Sequence, residues 1–165
     1  MIVSRRDGPL WAVLALSVAA LTACGSVGKP CTMVAARQGV GFDIKAPYAA
    51  KVADAGMKLC WAGTCHEPEI DLHASTKSVP QGCDDGVCGA SASPDGGKHA
   101  FADVQDLPTT PVEVTVVLRD AGGDTLLDRT LSVTPRMVHP NGPDCGTDGP
   151  QAMLLVQDGQ VTVRE

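Results

Sequence analysis

Two six-residue motifs of the form C-x-x-G-x-C constrain the fold of this chain most strongly. They occupy residues 60–65 and 83–88, and their centres read Ala62-Gly63 and Asp85-Gly86. Such dipeptides are typical of two-residue hairpin turns, which place the cysteines of each motif directly opposite one another on antiparallel strands. Strands at a non-hydrogen-bonded pair approach closely enough for a disulfide. Each motif therefore predicts a β-hairpin closed by its own bridge, Cys60–Cys65 and Cys83–Cys88.

The N-terminal residues form an export signal. Arg5 and Arg6 precede an apolar segment, Leu10–Leu21, and the segment closes with Leu-Thr-Ala-Cys at residues 21–24. About 12 apolar residues are too few to span a bilayer, which needs about 20. The pattern resembles the signal of bacterial lipoproteins. That resemblance implies cleavage before Cys24 and a diacylglyceryl thioether on its sulfur, with palmitate-type acyl chains as a stable membrane anchor. Export by the general or the twin-arginine route stays open.

The remaining cysteines complete a disulfide framework. Besides Cys24 the chain has six cysteines, and an even number in an exported domain predicts bridges. The two motifs leave Cys31 and Cys145 as a long-range third pair. In the chain-entropy model each short ring contributes about 2 kcal/mol and the long loop about 5 kcal/mol. Two alternatives stay open: crossed pairing between the hairpins, and a four-cysteine zinc site.

The domain organisation follows from the signal. Residues 1–23 are the signal peptide, residues 24–30 a lipidated tether, and residues 31–165 a single domain large enough for its own core. Removing two arginines and one aspartate with the signal changes the net charge from −6 to −7. An acidic chain without a Lys/Arg cluster argues against nucleic acid as a partner.

Short strands dominate the domain. In residues 111–119, Val112, Val114, Val116 and Leu118 alternate with more polar residues, as in a half-buried strand. The other predicted strands are 31–36, 39–45, 57–62, 64–73, 124–134, 151–157 and 160–164. Residues 47–55 are predicted as one short helix or a loop, and residues 75–99 as a long, poorly ordered loop around the second motif. This pattern predicts an all-β, antiparallel β-sandwich, immunoglobulin-like by analogy.

Candidate ligand-binding residues are few, and each has a simpler explanation. His73 and Asp71 share a predicted strand face with Glu67 and Glu69, so they are weak metal candidates beside the simpler interpretation of a solvated polar face. Met137 and His139 lack the clustered cysteine of a copper site. Turn formation explains the acidic residues of the glycine-rich loops better than calcium binding does: Asp84, Asp85, Asp95, Asp144 and Asp148.

No sequence motif indicates catalysis or a cofactor. The chain has no G-x-S-x-G elbow, P-loop or dinucleotide fingerprint. Over residues 31–165 it resembles the small extracytoplasmic lipoproteins of actinobacteria, a resemblance that implies no site residues. We expect a non-catalytic interaction module, anchored by lipid on the extracytoplasmic face of the cell membrane, with an envelope protein or glycan as partner and residues 75–99 as the contact surface. The alternatives are a metal or small-ligand carrier and a structural envelope lipoprotein.

Overall fold

The computed structural model describes residues 31, 34–146 and 149–164. The predicted signal peptide, Cys24, the tether and Asp148 lie outside the described residues. Within the described residues, no helix is long and apolar enough to cross a membrane. Two short 3-10 turns, Tyr48–Lys51 and Pro143–Cys145, accompany ten strands: β1 (Gly39–Ile44), β2 (Asp54–Trp61), β3 (Thr64–His66), β4 (His73–Asp84), β5 (Val87–Asp103), β6 (Val112–Arg119), β7 (Thr125–Val133), β8 (Arg136–Val138), β9 (Gly149–Gln157) and β10 (Gln160–Arg164).

The strands form two sheets, which confirms the predicted all-β, disulfide-stabilised sandwich. Sheet A has the order β10-β9-β1-β5-β4, with β8 also paired to β9, and sheet B has the order β3-β2-β6-β7. The β1–β9 pair is parallel, so the expectation of a purely antiparallel sandwich is wrong at that pair. In addition, β1 lies in the middle of its sheet, whereas the immunoglobulin ABED sheet has its first strand at an edge. The analogy therefore covers the two layers and not the strand order.

The core lies between the inward faces of the two sheets. The predicted alternation in β6 is confirmed, because its four even-numbered apolar side chains are at most 1% exposed. Phe42, Leu59 and Leu154 are fully buried from the other strands. Burial of each such side chain contributes about 1.5–3 kcal/mol relative to exposure. None of the described buried side chains is polar or charged, so the sandwich is held together by apolar packing.

The turn chemistry explains the hairpins and their bridges. Ala62 and Asp85 have φ values of 49° and 48°, and each precedes a glycine that also has positive φ. Positive φ at both central residues defines the type I′ turn, whose twist matches that of the flanking strands. Cys60 therefore lies opposite Cys65, and Cys83 opposite Cys88. The S–S distances are 2.06 and 1.98 Å.

Both cysteines of the third predicted bridge are in disulfide bonds in the structure. Cys31 and Cys145 are both disulfide-bonded, and the fold carries three disulfides. Neither the crossed pairing of the hairpins nor the four-cysteine zinc site is the arrangement present.

Three predicted elements are absent or shorter than expected. The strand predicted over residues 31–36 is not formed at the described residues 34–36, where the Asn141 side chain donates to the Val34 carbonyl at 2.7 Å. The helix predicted over residues 47–55 is only the 3-10 turn Tyr48–Lys51, because Val52 already has extended backbone angles. The second arm of the first hairpin ends at His66, shortly before Pro68, which cannot donate a hydrogen bond to a strand ladder.

The loop predicted over residues 75–99 is wrong. This region is a long antiparallel hairpin of β4 and β5, with register pairs from His73–His99 to Asp84–Val87. We call its protruding part, residues 75–97, the ribbon. Its glycines and prolines, which suggested a loop, lie in or beside irregular positions, where the register shifts between Ala74 and Thr76 and again between Pro80 and Gly82. Bulges accommodate such residues without ending a strand pair.

Candidate interaction surfaces

The ribbon extends beyond the sandwich. Strand β1 pairs with β5 only from Asp103 to Lys98, and no described strand pairs with the open edges of the ribbon further on. Nearly all side chains from Thr76 to Gly96 are exposed, and Val87 beside the turn is 75% exposed. The region predicted as a contact surface is therefore accessible, although as an ordered hairpin instead of a loop.

The two faces of the ribbon differ in chemistry. On one face the register pairs join small or apolar residues, Ser78 with Ala92 and Pro80 with Ala90. The opposite face pairs Lys77 with Ser93 and Val79 with Ser91. Apart from Val79 and the exposed Val87, the ribbon has no apolar side chain larger than proline, so neither face forms an apolar row that packs on the sandwich. The exposed bridge Cys83–Cys88 closes the hairpin at its tip.

The Asp95 carboxylate links the two strands at the base of the ribbon by hydrogen bonds. The Asp95 side chain accepts a hydrogen bond from the Ser75 hydroxyl and another from the Gly97 backbone N–H, the latter at 2.8 Å. These two bonds, the Ser75 bond first, lower the pKa of Asp95 below its ordinary value of 3.8. Gly97 fits only without a side chain, since a Cβ there would lie 2.8 Å from the Ile44 carbonyl oxygen.

The outer face of sheet A forms a second accessible surface. Three cavities of about 560, 550 and 440 Å³ adjoin one another there, because successive cavities share lining residues such as Met153 and Phe101. The Arg37 guanidinium lies 4.6 Å from the centre of the Phe101 ring and pairs with Asp103. This pairing, chiefly through the hydrogen bond, lowers the pKa of Asp103. As an exposed ion pair it contributes at most about 1 kcal/mol.

The predicted metal candidates meet at one end of this outer face. His73 and Asp71 line the 440 Å³ cavity with His99 and Glu69. Residues 67–72 are not a strand, so the predicted alternating face of Glu67, Glu69, Asp71 and His73 is wrong. The sequence pattern does not predict that His99 neighbours His73, because only the β4–β5 register brings the two residues together.

The two other described histidines and Met137 have ordinary surroundings. His66 stacks on Trp61 with ring centres 4.3 Å apart, and the His139 ring lies 3.1 Å from the Gly146 carbonyl oxygen. Met137 is 40% exposed on β8. Across the described part of the chain, no three or more His, Cys, Asp or Glu side chains are grouped to hold a metal ion. The calcium candidates Asp84, Asp85, Asp95 and Asp144 are therefore not assembled into such a group.

Comparisons with known proteins add no assignment. No protein-family model, curated protein or solved structure matches this chain. No site residue is therefore transferred from another protein, and the functional argument depends on the geometry of these surfaces.

Proposed function

We propose that the protein is a lipid-anchored, extracytoplasmic binding module that contacts an envelope protein or glycan through the ribbon, without catalysing a reaction. The observation that carries this proposal is the position of the ribbon. It leaves sheet A at the end opposite to the one where the chain enters the sandwich.

The register of β1 and β5 defines these two ends. The chain enters β1 at Gly39, which pairs with Asp103, and β1 ends at Ile44, which pairs with Lys98. From Lys98 the ribbon continues in the same direction to Cys88. The 15 residues between Asp103 and Cys88, at about 3.3 Å each, correspond to about 50 Å of extended strand. A tether that begins at a lipidated Cys24 would join the entry end, so the ribbon tip would be held away from the membrane.

The construction of the ribbon supports binding. A two-stranded hairpin on its own is marginally stable in water, and this one has a tip disulfide and two hydrogen bonds donated to the Asp95 carboxylate at its base. Ordered backbone that buries little of its own surface is suited to recognition, because little conformational entropy is lost when a partner binds.

Site-specific photo-crosslinking tests the proposal in the envelope of the cells that make the protein. A photoreactive residue replaces Val87 at the ribbon tip, and in a matched control it replaces Ser132, which is exposed on sheet B. We expect a discrete adduct from position 87 and none from position 132, with the partner identified by mass spectrometry.

A shortened ribbon provides the second arm of this test. Lys77 and Ser93 are register partners, so an Asn-Gly turn can replace residues 78–92 while the base is kept. We expect the purified partner to bind this variant at least tenfold more weakly. Equal adducts from both positions, or unchanged affinity of the shortened variant, would contradict the proposal.

A further inference from the structure

We propose that His73 and His99 form a two-histidine chelate for a divalent transition metal ion, Cu²⁺ above all, at the base of the ribbon. This inference goes beyond the proposed binding function and does not depend on it. It rests on the pairing of two imidazole rings across β4 and β5.

The geometry of the pair fits a shared metal ion. His73 and His99 are direct cross-strand partners, and their ring centres are 5.7 Å apart with the planes inclined at 39°. An imidazole nitrogen binds such a metal at about 2.0–2.1 Å, which puts each ring centre about 3.2 Å from the ion. Two ring centres are then about 4.5 Å apart when the nitrogens bind at a right angle and about 5 Å apart at the tetrahedral angle. Side-chain rotation alone can therefore direct one nitrogen of each ring to the same ion.

The neighbouring strands preorganise one of the two ligands. His99 lies on β5 where that strand is paired on both sides, with His73 on β4 and with Asp43 on β1. A residue in the middle of three paired strands loses little backbone freedom when it binds. His73 lies at the start of the edge strand β4 and is exposed, so its ring is free to turn toward an ion.

The surrounding charges favour a cation. Asp71 and Glu69 line the same cavity, and the nearby Arg37 is paired with Asp103. On the neighbouring strand β1, Asp43 lies opposite His99 and pairs with Arg164. Both arginines are thus neutralised by carboxylates, and the two acidic side chains of Asp71 and Glu69 line the cavity together with the histidine pair. Since the described residues hold no group of three or more ligands, water fills the other coordination positions in this proposal.

Ligand chemistry selects the metal. Imidazole suits copper, nickel and zinc, and for a given nitrogen site the divalent ions bind in an order that peaks at Cu²⁺. Calcium and magnesium prefer oxygen ligands and are disfavoured at a site defined by two imidazoles. The ligand class is therefore a late first-row divalent ion, with Cu²⁺ binding more tightly than Zn²⁺.

Calorimetric titration of the untagged protein with Cu²⁺ tests the chelate. We expect one equivalent to bind, with His73→Gln and His99→Gln each weakening the affinity at least tenfold and the double variant binding no more tightly than either. His139→Gln is the matched control, because His139 is an exposed histidine elsewhere, and we expect its affinity to match the parent protein. Circular dichroism without metal establishes that each variant is folded.

Electron paramagnetic resonance provides a readout that a purely structural role would not change. The Cu²⁺ spectrum of the parent protein is expected to show coupling to two imidazole nitrogens, and each single variant to one. A parent spectrum with fewer than two imidazole nitrogens, or a double variant that binds Cu²⁺ as tightly as the parent, would overturn the proposal.

Discussion

Two glycines in the central strand β1 allow neighbouring backbone and side chains of sheet A to pack closely against this strand. Gly39 has a φ of +151°, and a Cβ at this position would lie 1.9 Å from the Ala102 carbonyl oxygen. Gly41 lies beneath the side chains of Met153 and Phe101, to which a Cβ would come within 2.6 and 2.9 Å. Glycine normally weakens a strand interior, but here it leaves room for the neighbouring backbone and for the outer-face side chains.

Substitution of Gly39 tests this close approach. Gly39→Ala should lower the free energy of unfolding by about 2–4 kcal/mol, because the added carbon meets rigid backbone and φ is unfavourable for alanine. Gly56→Ala on β2 is the control: no atom lies within 4 Å of the added carbon, so the change should be neutral or stabilise by up to about 1 kcal/mol. Urea unfolding measures both. Equal losses for the two variants would show that close packing is not the cause.

The residues that define the hairpins could be predicted from sequence, while the histidine pair could not. Asp85-Gly86 specifies a turn through local backbone preference, which fixes the register of its cysteines within six residues. His73 and His99 are 26 residues apart, and their contact depends on two bulges that no local pattern announces. The sequence places Asp71 and His73 on one strand face, but residues 67–72 do not form the strand that this alternation requires.

At the scale of single elements, the ribbon depends on its base. The carboxylate of Asp95 joins the Ser75 hydroxyl on β4 to the Gly97 N–H on β5. The pKa of this carboxyl is lowered by these bonds, so the bonds stabilise the folded base at a pH above the ordinary value and are lost as the pH falls through the lowered pKa.

Titration by NMR measures this effect. The Asp95 carboxyl should titrate below pH 3.8 in the parent protein. Ser75→Ala should raise its pKa, because this change removes the hydrogen bond that lowers the pKa most. The pKa of Asp103, which Arg37 lowers elsewhere on the sheet, should not change. An Asp95 midpoint that is the same with and without the Ser75 hydroxyl would disprove the assigned cause.

Strands in which buried and exposed side chains alternate could be predicted from the sequence. The strands of the ribbon, which are exposed on both faces, could not. In β6 and β9, buried side chains alternate with less buried ones, and β10 pairs with β9 so that Val161 lies opposite Val156 and Val163 opposite Leu154. The strands of the ribbon have no buried face, so they lack the alternation that reveals a strand. Their pairing is set by the turn, the bridge and the bulges, which act together only in three dimensions.

At the scale of the whole molecule, the proposed anchor determines how the ribbon would be presented. In the sandwich, the entry of the chain and the departure of the ribbon lie at opposite ends of sheet A. If the proposed lipid is attached to Cys24, the chain connects this anchor to the entry end of the sandwich, opposite to the end where the proposed contact surface begins. Without that lipid, the proposed membrane attachment would be lost.

A single substitution separates these two cases. Cys24→Ser should move the protein from the membrane fraction to the soluble fraction, because a stable anchor requires more than one acyl chain and the proposed thioether carries two. Intact-mass measurement of the native protein should give a chain that begins at Cys24 with attached acyl mass. Cys83→Ser with Cys88→Ser is the control, which should stay membrane-bound. Native protein that retains Met1 and has no acyl mass would contradict the anchor.

The open edges of the ribbon affect how copies of the protein associate when they are packed side by side. Paired strands with free backbone amides readily add strands from neighbouring molecules, which leads to fibrils. Here Pro80 and Pro94 have no backbone N–H to donate, the register shifts between Pro80 and Gly82, and Lys77 adds a charge. Many copies packed side by side would for this reason resist lateral stacking, so a dense coat of the protein should stay dispersed.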